Sequence, residues 1–416
     1  MGSGFGRVAV GVRIVRLVSA GRRALGVRKY REEERGKLAR LSSLSFGNAV
    51  ASWEEYYDPR KNTRIDPEGI YVLEEDGGLR ATAAVLPLEA FVDGRAVPIG
   101  GVAAVCTHPA YRRKGHAGAL MRAVLGGMRE EGVGLSMLWP FAHAFYRAYG
   151  WEIGGESISY ELKPTDLPTS GEQRGVRDYV GGDLGSLMDL FGGEAKRHQM
   201  MVVRSEASWR SWLGRDGNEA AVYERDGRVE GYALYTMSDW RDGEEPRRKL
   251  AVRELVAATP EAREGLLSFA AAQDPLVFGV RVRVPRGEPI HPYLPSSYVT
   301  ARVETEFMLR LVDVEGALAL LGRQIGEPLV LEVSDDVVPG NAGEYTVGKG
   351  EVARGAEAAE KVTLDVRRLA QLYAGYLPAR ELARHGLIEP GSERALELLE
   401  DYFPVDDPYV FPLDHF

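Results

Sequence analysis

A short basic turn between an apolar segment and an amphipathic segment restricts the fold of this chain more than any other feature of the sequence. Val102–Thr107 predicts a strand and Ala117–Glu131 predicts a helix, and the connection contains two arginines, a lysine and a glycine. Free N–H groups at a helix N-terminus bind anions, glycine lets a backbone approach closely, and arginine adds charge-assisted hydrogen bonds. The turn therefore predicts a pyrophosphate site. It lacks the Gly-Lys-Ser/Thr ending of a P-loop and the GxGxxG pattern of a dinucleotide fold.

Length, charge and cysteine content narrow the classes of protein that this chain can be. A length of 416 residues, at about 150 residues per domain, predicts two or three domains. The 61 acidic residues outnumber the 52 Lys and Arg residues, and the net charge of -9 disfavours nonspecific nucleic-acid binding and suits a cationic small partner. Cys106 is the one cysteine, which excludes an internal disulfide and a Cys-rich metal site, so we expect a cytoplasmic protein without a bound metal. We expect no membrane span, because no run approaches about 18 apolar residues.

Changes in patterning along the chain predict three domains after a basic extension. The first 31 residues contain eight basic residues and no acid. We interpret residues 1–24 as a solvated extension rather than as a membrane-binding or nucleic-acid-binding arm. A first domain is predicted over residues 25–163, a second over 164–303, and a third, mixed domain over 304–416. The predicted fold class is mixed α/β.

The second domain is predicted to be a diverged copy of the first. Thr107–Gly115 aligns with Ala258–Gly265, and each segment follows a predicted strand and leads into a predicted helix, which in the second copy begins at Gly265. Glu264 occupies the position of Arg113, and its carboxylate would repel a pyrophosphate. We therefore expect the second copy to bind no nucleotide.

Two motifs in the first domain resemble those of the GCN5-related N-acetyltransferase (GNAT) superfamily. Arg112, Gly115 and Ala117 match its Arg/Gln-x-x-Gly-x-Gly/Ala signature, and Phe145–Trp151 resembles the aromatic segment that follows the fifth strand of these enzymes. With the degenerate second copy, the third domain and the aromatic C-terminus, residues 25–416 resemble the bacterial enhanced intracellular survival acetyltransferases. The resemblance implies tandem GNAT folds, a sterol-carrier-protein-like C-terminal domain, acetyl-CoA as the co-substrate, and a homohexamer built as a dimer of trimers.

The resemblance also implies roles for individual residues. Tyr146 matches the general acid of the family, and the α-carboxylate of the last residue, Phe416, matches the general base. His415 stands where the family often has an acid, Asp414 lies one position earlier, and both are candidate substrate contacts. The candidate cofactor contacts lie at the strand end, in the basic turn and helix start, and just before the catalytic tyrosine: Val105, Cys106, Thr107, Arg112, Arg113, Lys114, Gly115, His116, Ala117, Gly118, Phe141 and Ala142.

Several of these residues have a structural alternative. Arg112 and Arg113 are either cofactor contacts, which we favour, or part of a solvated basic turn. By sequence alone, Tyr146 is typical of a buried aromatic whose hydroxyl bonds a backbone group, and Phe416 is typical of a chain end packed into a groove. Cys106 is either a nucleophile that forms an acetyl-enzyme or a small buried apolar residue, and we favour the second interpretation.

The chain is thus predicted to transfer an acetyl group directly to a primary amine of a cationic small molecule, of the aminoglycoside or polyamine type, or of a protein lysine. Asn48, Trp53 and Glu54 combine aromatic and acidic character, which suits such a substrate and is equally typical of an amphipathic surface helix. The alternative function is that of a non-catalytic regulator that binds acyl-CoA or a lipid.

Overall fold

The computed structural model describes residues 15–16, 25–242, 245–273, 275, 277–355 and 358–416. Contacts divide the chain into two compact units: unit 1 comprises residues 1–87 and 102–127, and unit 2 comprises residues 88–101 and 128–416. Two long strands and one helix belong partly to each unit, because the boundaries fall within them. Helices and strands are both abundant in the described ranges, which confirms the predicted mixed α/β class. None of the helices in these ranges has the length and apolar character that crossing a membrane requires.

Unit 1 is built from an antiparallel meander and the helices that follow its strands. Its elements are β1 (Val15–Arg16), β2 (Leu25–Lys29), α1 (Arg35–Phe46), α2 (Val50–Tyr56), β3 (Ile70–Glu75) and parts of β4 (Gly78–Val92), β5 (Arg95–Thr107) and α3 (His116–Glu130). β2 pairs with β3, and β3 pairs with β4. The turn at Asp76 and Gly77 has φ angles of 53° and 72°, the left-handed conformation that a type I′ hairpin requires at both positions.

The basic extension is described only at β1, where Val15 and Arg16 pair antiparallel with Val27 and Gly26. The remainder of residues 1–24 lies outside the described residues.

Helix α3 lies directly against strand β3 within unit 1. A Cβ atom at Gly127 would lie 1.9 Å from the hydroxyl oxygen of Tyr71, so this approach of helix to strand requires glycine. The helix buries apolar side chains at helical spacing: Leu120, Met121, Val124 and Leu125. This packing fixes the helix whose N-terminus follows the predicted pyrophosphate turn.

Unit 2 contains most of the secondary structure. Its strands are β6 (Leu135–Leu138), β7 (Glu152–Ile153), β8 (Glu156–Leu162), β9 (Val176–Asp178), β10 (Asn218–Arg225), β11 (Arg228–Asp242), β12 (Glu245–Ala257), β13 (Val277–Pro285), β14 (Thr300–Thr305), β15 (Met308–Leu311), β16 (Gln324–Ser334), β17 (Gly343–Lys349), β18 (Ala353–Arg354), β19 (Glu360–Asp365) and β20 (Glu389–Pro390). Its helices are α4 (His143–Arg147), α5 (Leu184–Ala195), α6 (Glu206–Leu213), α7 (Pro260–Ala271), α8 (Val314–Leu321), α9 (Val366–Tyr373), α10 (Ala379–Arg384) and α11 (Glu393–Tyr402).

One group of strands in unit 2 combines segments that are far apart in the sequence. β5 pairs parallel with β6 through Gly100 and Gly101, and β15 pairs antiparallel with both β6 and β7. Residues 305–311 do not form one strand. β14 and β15 are separate strands in different sheets, and the chain passes between them at Glu306 and Phe307, both fully buried.

The sheet of the predicted second copy has the strand order β14-β8-β13-β12-β11-β10-β9. The helix predicted to begin at Gly265 instead begins at Pro260, as α7, and the hydroxyl of Thr259 accepts a hydrogen bond from the N–H of Ala262 as the N-cap. Threonine followed by proline is a strong start signal, so the residues aligned with the basic turn lie inside a helix. The second copy therefore has no turn of this kind, which is a larger change than the single carboxylate that the sequence indicated.

The remaining strands have the order β18-β17-β16-β19-β20, and α9 and α11 begin directly after Asp365 and Ser392. The Asp365 carboxylate and the Ser392 hydroxyl accept hydrogen bonds from the first-turn N–H groups of α9 and α11. Within unit 2 one apolar cluster includes both Ile99 and Leu331, so this sheet shares a core with the strands that precede β6.

Candidate active site

The basic turn of unit 1 has the backbone geometry of an anion site. Arg112, Arg113, Lys114 and Gly115 are exposed, and α3 begins at the next residue, His116. Arg113 has φ of 60° and Gly115 has φ of 85°, so two of four successive residues are left-handed. Left-handed residues alternating with others in a turn direct successive N–H groups into one concavity, which favours an anion, as does the helix N-terminus. These residues therefore fit a pyrophosphate, and their role stays a prediction.

Side chains beside the turn add positive charge, and one of them has a ring nitrogen without a hydrogen-bond partner among the described residues. The Tyr111 ring lies 4.1 Å from Cζ of Arg80 and 4.6 Å from Nζ of Lys114. His116 is 3% exposed, and within the described residues its Nδ1 has no hydrogen-bond partner. A buried ring nitrogen at a helix start is costly to leave unpaired, and a bound ligand could satisfy it. Ala117 and Gly118 complete the first turn of the helix.

The strand that leads to this turn is interrupted near its end. Ala104 has φ of 50°, a conformation that a strand does not maintain, so the backbone of β5 is irregular just before Val105. Val105 and Thr107 are half-buried. Cys106 is buried, and burial raises the pKa of its thiol to about 11, although hydrogen bonds with Ser45 and Ser42 lower it.

The candidate substrate residues of unit 1 lie on a largely exposed helix and the turn before it. Asn48 has φ of 62° and is exposed, and Glu54 on α2 is exposed. The Trp53 ring lies 5.2 Å from the rings of Phe46 and Tyr56, and its Nε1 donates a hydrogen bond to the Gly47 carbonyl. The rings of Phe46, Trp53 and Tyr56 therefore form an aromatic surface, and the exposed Glu54 lies next to Trp53 in the sequence.

Tyr146 lies on α4 in unit 2 and is 3% exposed. Burial raises the pKa of its hydroxyl well above the usual value of 10, so the hydroxyl stays protonated at neutral pH. Among the described residues no side chain or backbone group is hydrogen-bonded to the Tyr146 hydroxyl, and burial is the one cause of its raised pKa. Phe141 lies 5.4 Å away from the Tyr146 ring and is 70% exposed, and the neighbouring Ala142 is also exposed. The protonated hydroxyl of Tyr146 is thus buried close to the exposed ring of Phe141, an arrangement that suits proton donation to a bound ligand.

The chain end packs by its two aromatic rings. The Phe416 ring contacts Trp139 edge-on at 4.6 Å, and a Cβ atom at Gly101 would lie 2.8 Å from it. The His415 ring lies 4.5 Å from Trp139, and its Nε2 is 3.1 Å from Oε2 of Glu306. Glu306 is fully buried, so its carboxylate favours an N–H donor on His415. These contacts hold the terminal residues in one place.

Glu306 and Trp139 were not predicted as site residues. Glu306 lies 109 residues from His415 in the sequence, at the connection between β14 and β15. The residues around it show no motif that marks a functional site. No signal in a single sequence could have connected the two.

Asp414 does not occupy the position expected of a substrate contact. It is fully buried, and its Oδ1 and Oδ2 accept hydrogen bonds from Arg204 at 2.9 and 2.6 Å. Arg204 also pairs with Glu254, which accepts a hydrogen bond from the Tyr232 hydroxyl. Removing one charge from such a buried network typically costs about 3–5 kcal/mol, so Asp414 is better explained as an anchor of the C-terminal segment. We therefore withdraw it from the substrate contacts.

One described group of side chains could hold a metal, formed by Glu194, His198 and Glu288. Both carboxylates are already paired with Arg197, and Glu288 is also within 3.5 Å of Arg263. Burial would lower the pKa of His198, but its hydrogen bonds to Glu194 and to the Asp407 carbonyl raise it overall. These pairings of both carboxylates with arginines favour an ion-pair network over a metal site.

Comparisons with known proteins agree with the predicted order of domains. The acetyltransferase (GNAT) domain family matches residues 26–154, a second family of the same description matches 200–311, and the sterol carrier protein domain family matches 314–411. An uncharacterised N-acetyltransferase of Streptomyces griseus is 26% identical over 401 residues, which are 88% of this chain and 94% of that protein. The boundaries predicted at residues 163 and 303 are not tested by these ranges.

Solved structures extend the comparison to almost the whole chain. A GCN5-related N-acetyltransferase from Anabaena variabilis has a TM-score of 0.82 and 25% identity, covering 94% of this chain and all of that one. A GCN5-related N-acetyltransferase from Kribbella flavida has a TM-score of 0.79 and 26% identity, covering 96% of this chain and 100% of that one. Eis1 from Mycobacterium abscessus has the same fold, with a TM-score of 0.75 and 22% identity over 94% of this chain and 100% of that one. This chain is therefore an acetyl-CoA-using N-acetyltransferase of the GCN5-related superfamily, with two GNAT domains followed by a sterol-carrier-protein-like domain.

Proposed function

We propose that this enzyme acetylates the primary amine of a cationic small molecule, of the polyamine or aminoglycoside type, by direct transfer. The observation that carries the proposal is the surface formed by Phe46, Trp53, Tyr56 and Glu54. Aromatic faces attract ammonium groups within about 6 Å, and a nearby carboxylate adds charge attraction. Within the described residues Glu54 has no ion-pair partner, so its charge is available to a ligand.

The proposed acid and base are both in unit 2. An amine with a pKa near 10 is mostly protonated at neutral pH and must lose a proton before or during attack. The α-carboxylate of Phe416 is the proposed acceptor, held by the packing of Phe416 and His415 on Trp139. Tyr146, which stays protonated at neutral pH, is the proposed donor to the departing thiolate.

The proposed contacts to the co-substrate in unit 1 are backbone groups and cations. Acetyl-CoA supplies the acetyl group as a thioester. We assign its pyrophosphate to the turn and helix start, Arg112 through Gly118, and its pantetheine arm to the backbone of Val105, Cys106 and Thr107. In unit 2, the resemblance implies that Phe141 and Ala142, exposed beside Tyr146, are cofactor contacts.

Thiol release from acetyl-CoA in the presence of an amine panel tests the substrate class. The panel contains polyamines, aminoglycosides, lysine peptides, and neutral and acidic monoamines. We expect the highest kcat/KM with the polycations, and we expect Glu54→Gln to raise KM for them more than for a neutral monoamine. Glu55→Gln is the matched control, because Glu55 lies on the same helix but already pairs with Lys61. Equal kcat/KM across the panel, or preference for lysine peptides, would contradict the proposal.

The assembly, compartment and domain boundaries are also part of the proposal. The resemblance to the Eis-like proteins supports a homohexamer, and the lone, buried Cys106 suits a reducing cytoplasm. We propose no metal, because the acid and base above complete the proton transfers. We retain the predicted domains, 25–163, 164–303 and 304–416.

Replacing Arg113 by glutamate should weaken coenzyme A binding by more than about tenfold, because a charge-assisted contact becomes a repulsion. Calorimetric titration with coenzyme A measures the change. Arg40→Glu makes the same change of charge at an exposed position of α1 and should leave the affinity near that of the wild type. An unchanged affinity in Arg113→Glu would move the cofactor site elsewhere.

Replacing Cys106 by alanine should leave most of the activity, because a buried thiol with a pKa of about 11 supplies almost no thiolate at neutral pH. Mass spectrometry of the wild-type enzyme after incubation with acetyl-CoA should detect no acetylated cysteine. A stable thioester on Cys106 that reacts with added amine would replace direct transfer by a two-step mechanism.

A further inference from the structure

Strand β14 lies at one edge of the seven-stranded sheet of unit 2. Among the described strands it pairs on one side only, with β8, so the N–H and C=O groups of its other side have no strand partner there. Thr300, Ala301, Arg302 and Val303 are all exposed. An open edge is a ready site for pairing with another chain unless it is blunted or covered.

The two faces of β14 differ in character. Val303 is opposite Ile158 of β8, which is opposite Val284 of β13, so Val303 continues the apolar face that covers the core. It is nevertheless 68% exposed. Arg302 and Glu304 lie on the other face, because side chains alternate along a strand. The edge therefore leaves an apolar side chain uncovered next to two opposite charges.

The two charged residues on the polar face differ in their ion-pair partners. Glu304 pairs with Arg283 of its own chain, which holds its carboxylate near the edge. Within the described residues Arg302 has no acidic partner, and its neighbours across the sheet are Ser159 and, beyond it, Arg283. A carboxylate from outside the sheet would therefore be favourable beside Arg302.

The sequence of β14 is complementary to itself when two copies run antiparallel. Directly opposed residues share a face, so the apolar and polar faces continue across the junction in any alignment that places a residue opposite itself. The alignments centred on Val303 or on one of its two charged neighbours place Val303 opposite Val303, Arg302 opposite Arg302, or Glu304 opposite Glu304. The second and third alignments oppose like charges, which is unfavourable. In the first alignment, Arg302 of each copy opposes Glu304 of the other, which gives two pairs of opposite charge.

We propose that a second copy of this chain binds at β14, edge to edge and antiparallel, with Val303 on the twofold axis. The pairing extends the sheet across the two copies, covers Val303, and gives each Arg302 a carboxylate. Tyr293 and Tyr298, 67% and 95% exposed just before the strand, supply further apolar surface near the junction. A twofold contact of this kind requires an assembly with an even number of copies.

Charge reversal tests the register by measuring the mass of the purified protein in sedimentation equilibrium at micromolar concentration. We expect an even-numbered wild-type assembly, and we expect Arg302→Glu and Glu304→Arg each to halve its mass, because each then opposes like charges. Mixing the two variants should restore the wild-type mass, since one presents only carboxylates at these positions and the other only guanidinium groups.

Two further variants separate this register from loss of folding. Val303→Lys should also halve the mass, because two ammonium groups would meet on the axis. Arg215→Glu, an equal change of charge at an exposed turn away from the edge, should leave the mass unchanged. Thermal melts verify that every variant is folded. A monomeric wild type, folded edge variants of wild-type mass, or a mixture that stays at half mass would overturn the proposal.

Discussion

Tyr146→Phe is expected to lower kcat by about 10²- to 10⁴-fold while leaving KM for acetyl-CoA close to the wild-type value. The phenylalanine keeps the ring contacts with Phe141 and Trp151 but removes the proton that we assign to the departing thiolate. The loss therefore belongs to the chemical step and not to binding. Steady-state thiol release with a polyamine at saturating acetyl-CoA measures it.

Tyr149→Phe is the matched control for this variant. Tyr149 lies three residues further along the same segment, contacts Phe145, and has no assigned role in proton transfer. We expect near wild-type kcat for it, with both variants folded by thermal melt. A folded Tyr146→Phe enzyme with wild-type kcat would leave Tyr146 as one more core aromatic, which is the alternative that its burial permits.

Local signals in the sequence account for many elements of the fold, because the responsible forces act within a few residues. The Asp-Gly turns at Asp76, Asp93 and Asp226 are all left-handed, as a type I′ hairpin requires, and helices start after Asp365 and Ser392 because their side chains cap the first turn. The basic turn before α3 belongs to the same class of signal. Such features depend on residue type at fixed short spacing, which a single sequence contains.

The errors arose where long-range packing decides. Glu306 was missed because its partner His415 is 109 residues away, and Asp414 was assigned to substrate because its partner Arg204 is 210 residues away. The start of α7 was misplaced for a different reason. The alignment with the first copy suggested a turn, whereas Thr259 and Pro260 are local helix-start signals that outweigh it.

The C-terminus should be the most sensitive point of the enzyme to small chemical changes. Adding two glycines after Phe416 converts its α-carboxylate into a neutral amide, so we expect kcat to fall by about 10²- to 10⁴-fold, as for loss of a general base. Phe416→Leu keeps the carboxylate and loses only ring contact with Trp139, so its effect should be much smaller. Initial rates of thiol release compare the variants.

The extension also adds bulk near Gly101, where the Phe416 ring already leaves no space for a Cβ atom. A semisynthetic enzyme that ends in the Phe416 carboxamide removes the charge without adding bulk, and its kcat should match that of the extended variant. Glu306→Gln weakens the contact that holds His415, so it should lower kcat by less than the carboxamide does. If the folded carboxamide enzyme turns over at the wild-type rate, the carboxylate takes no proton. The aromatic end of the chain would then serve only to fill the space beside Trp139.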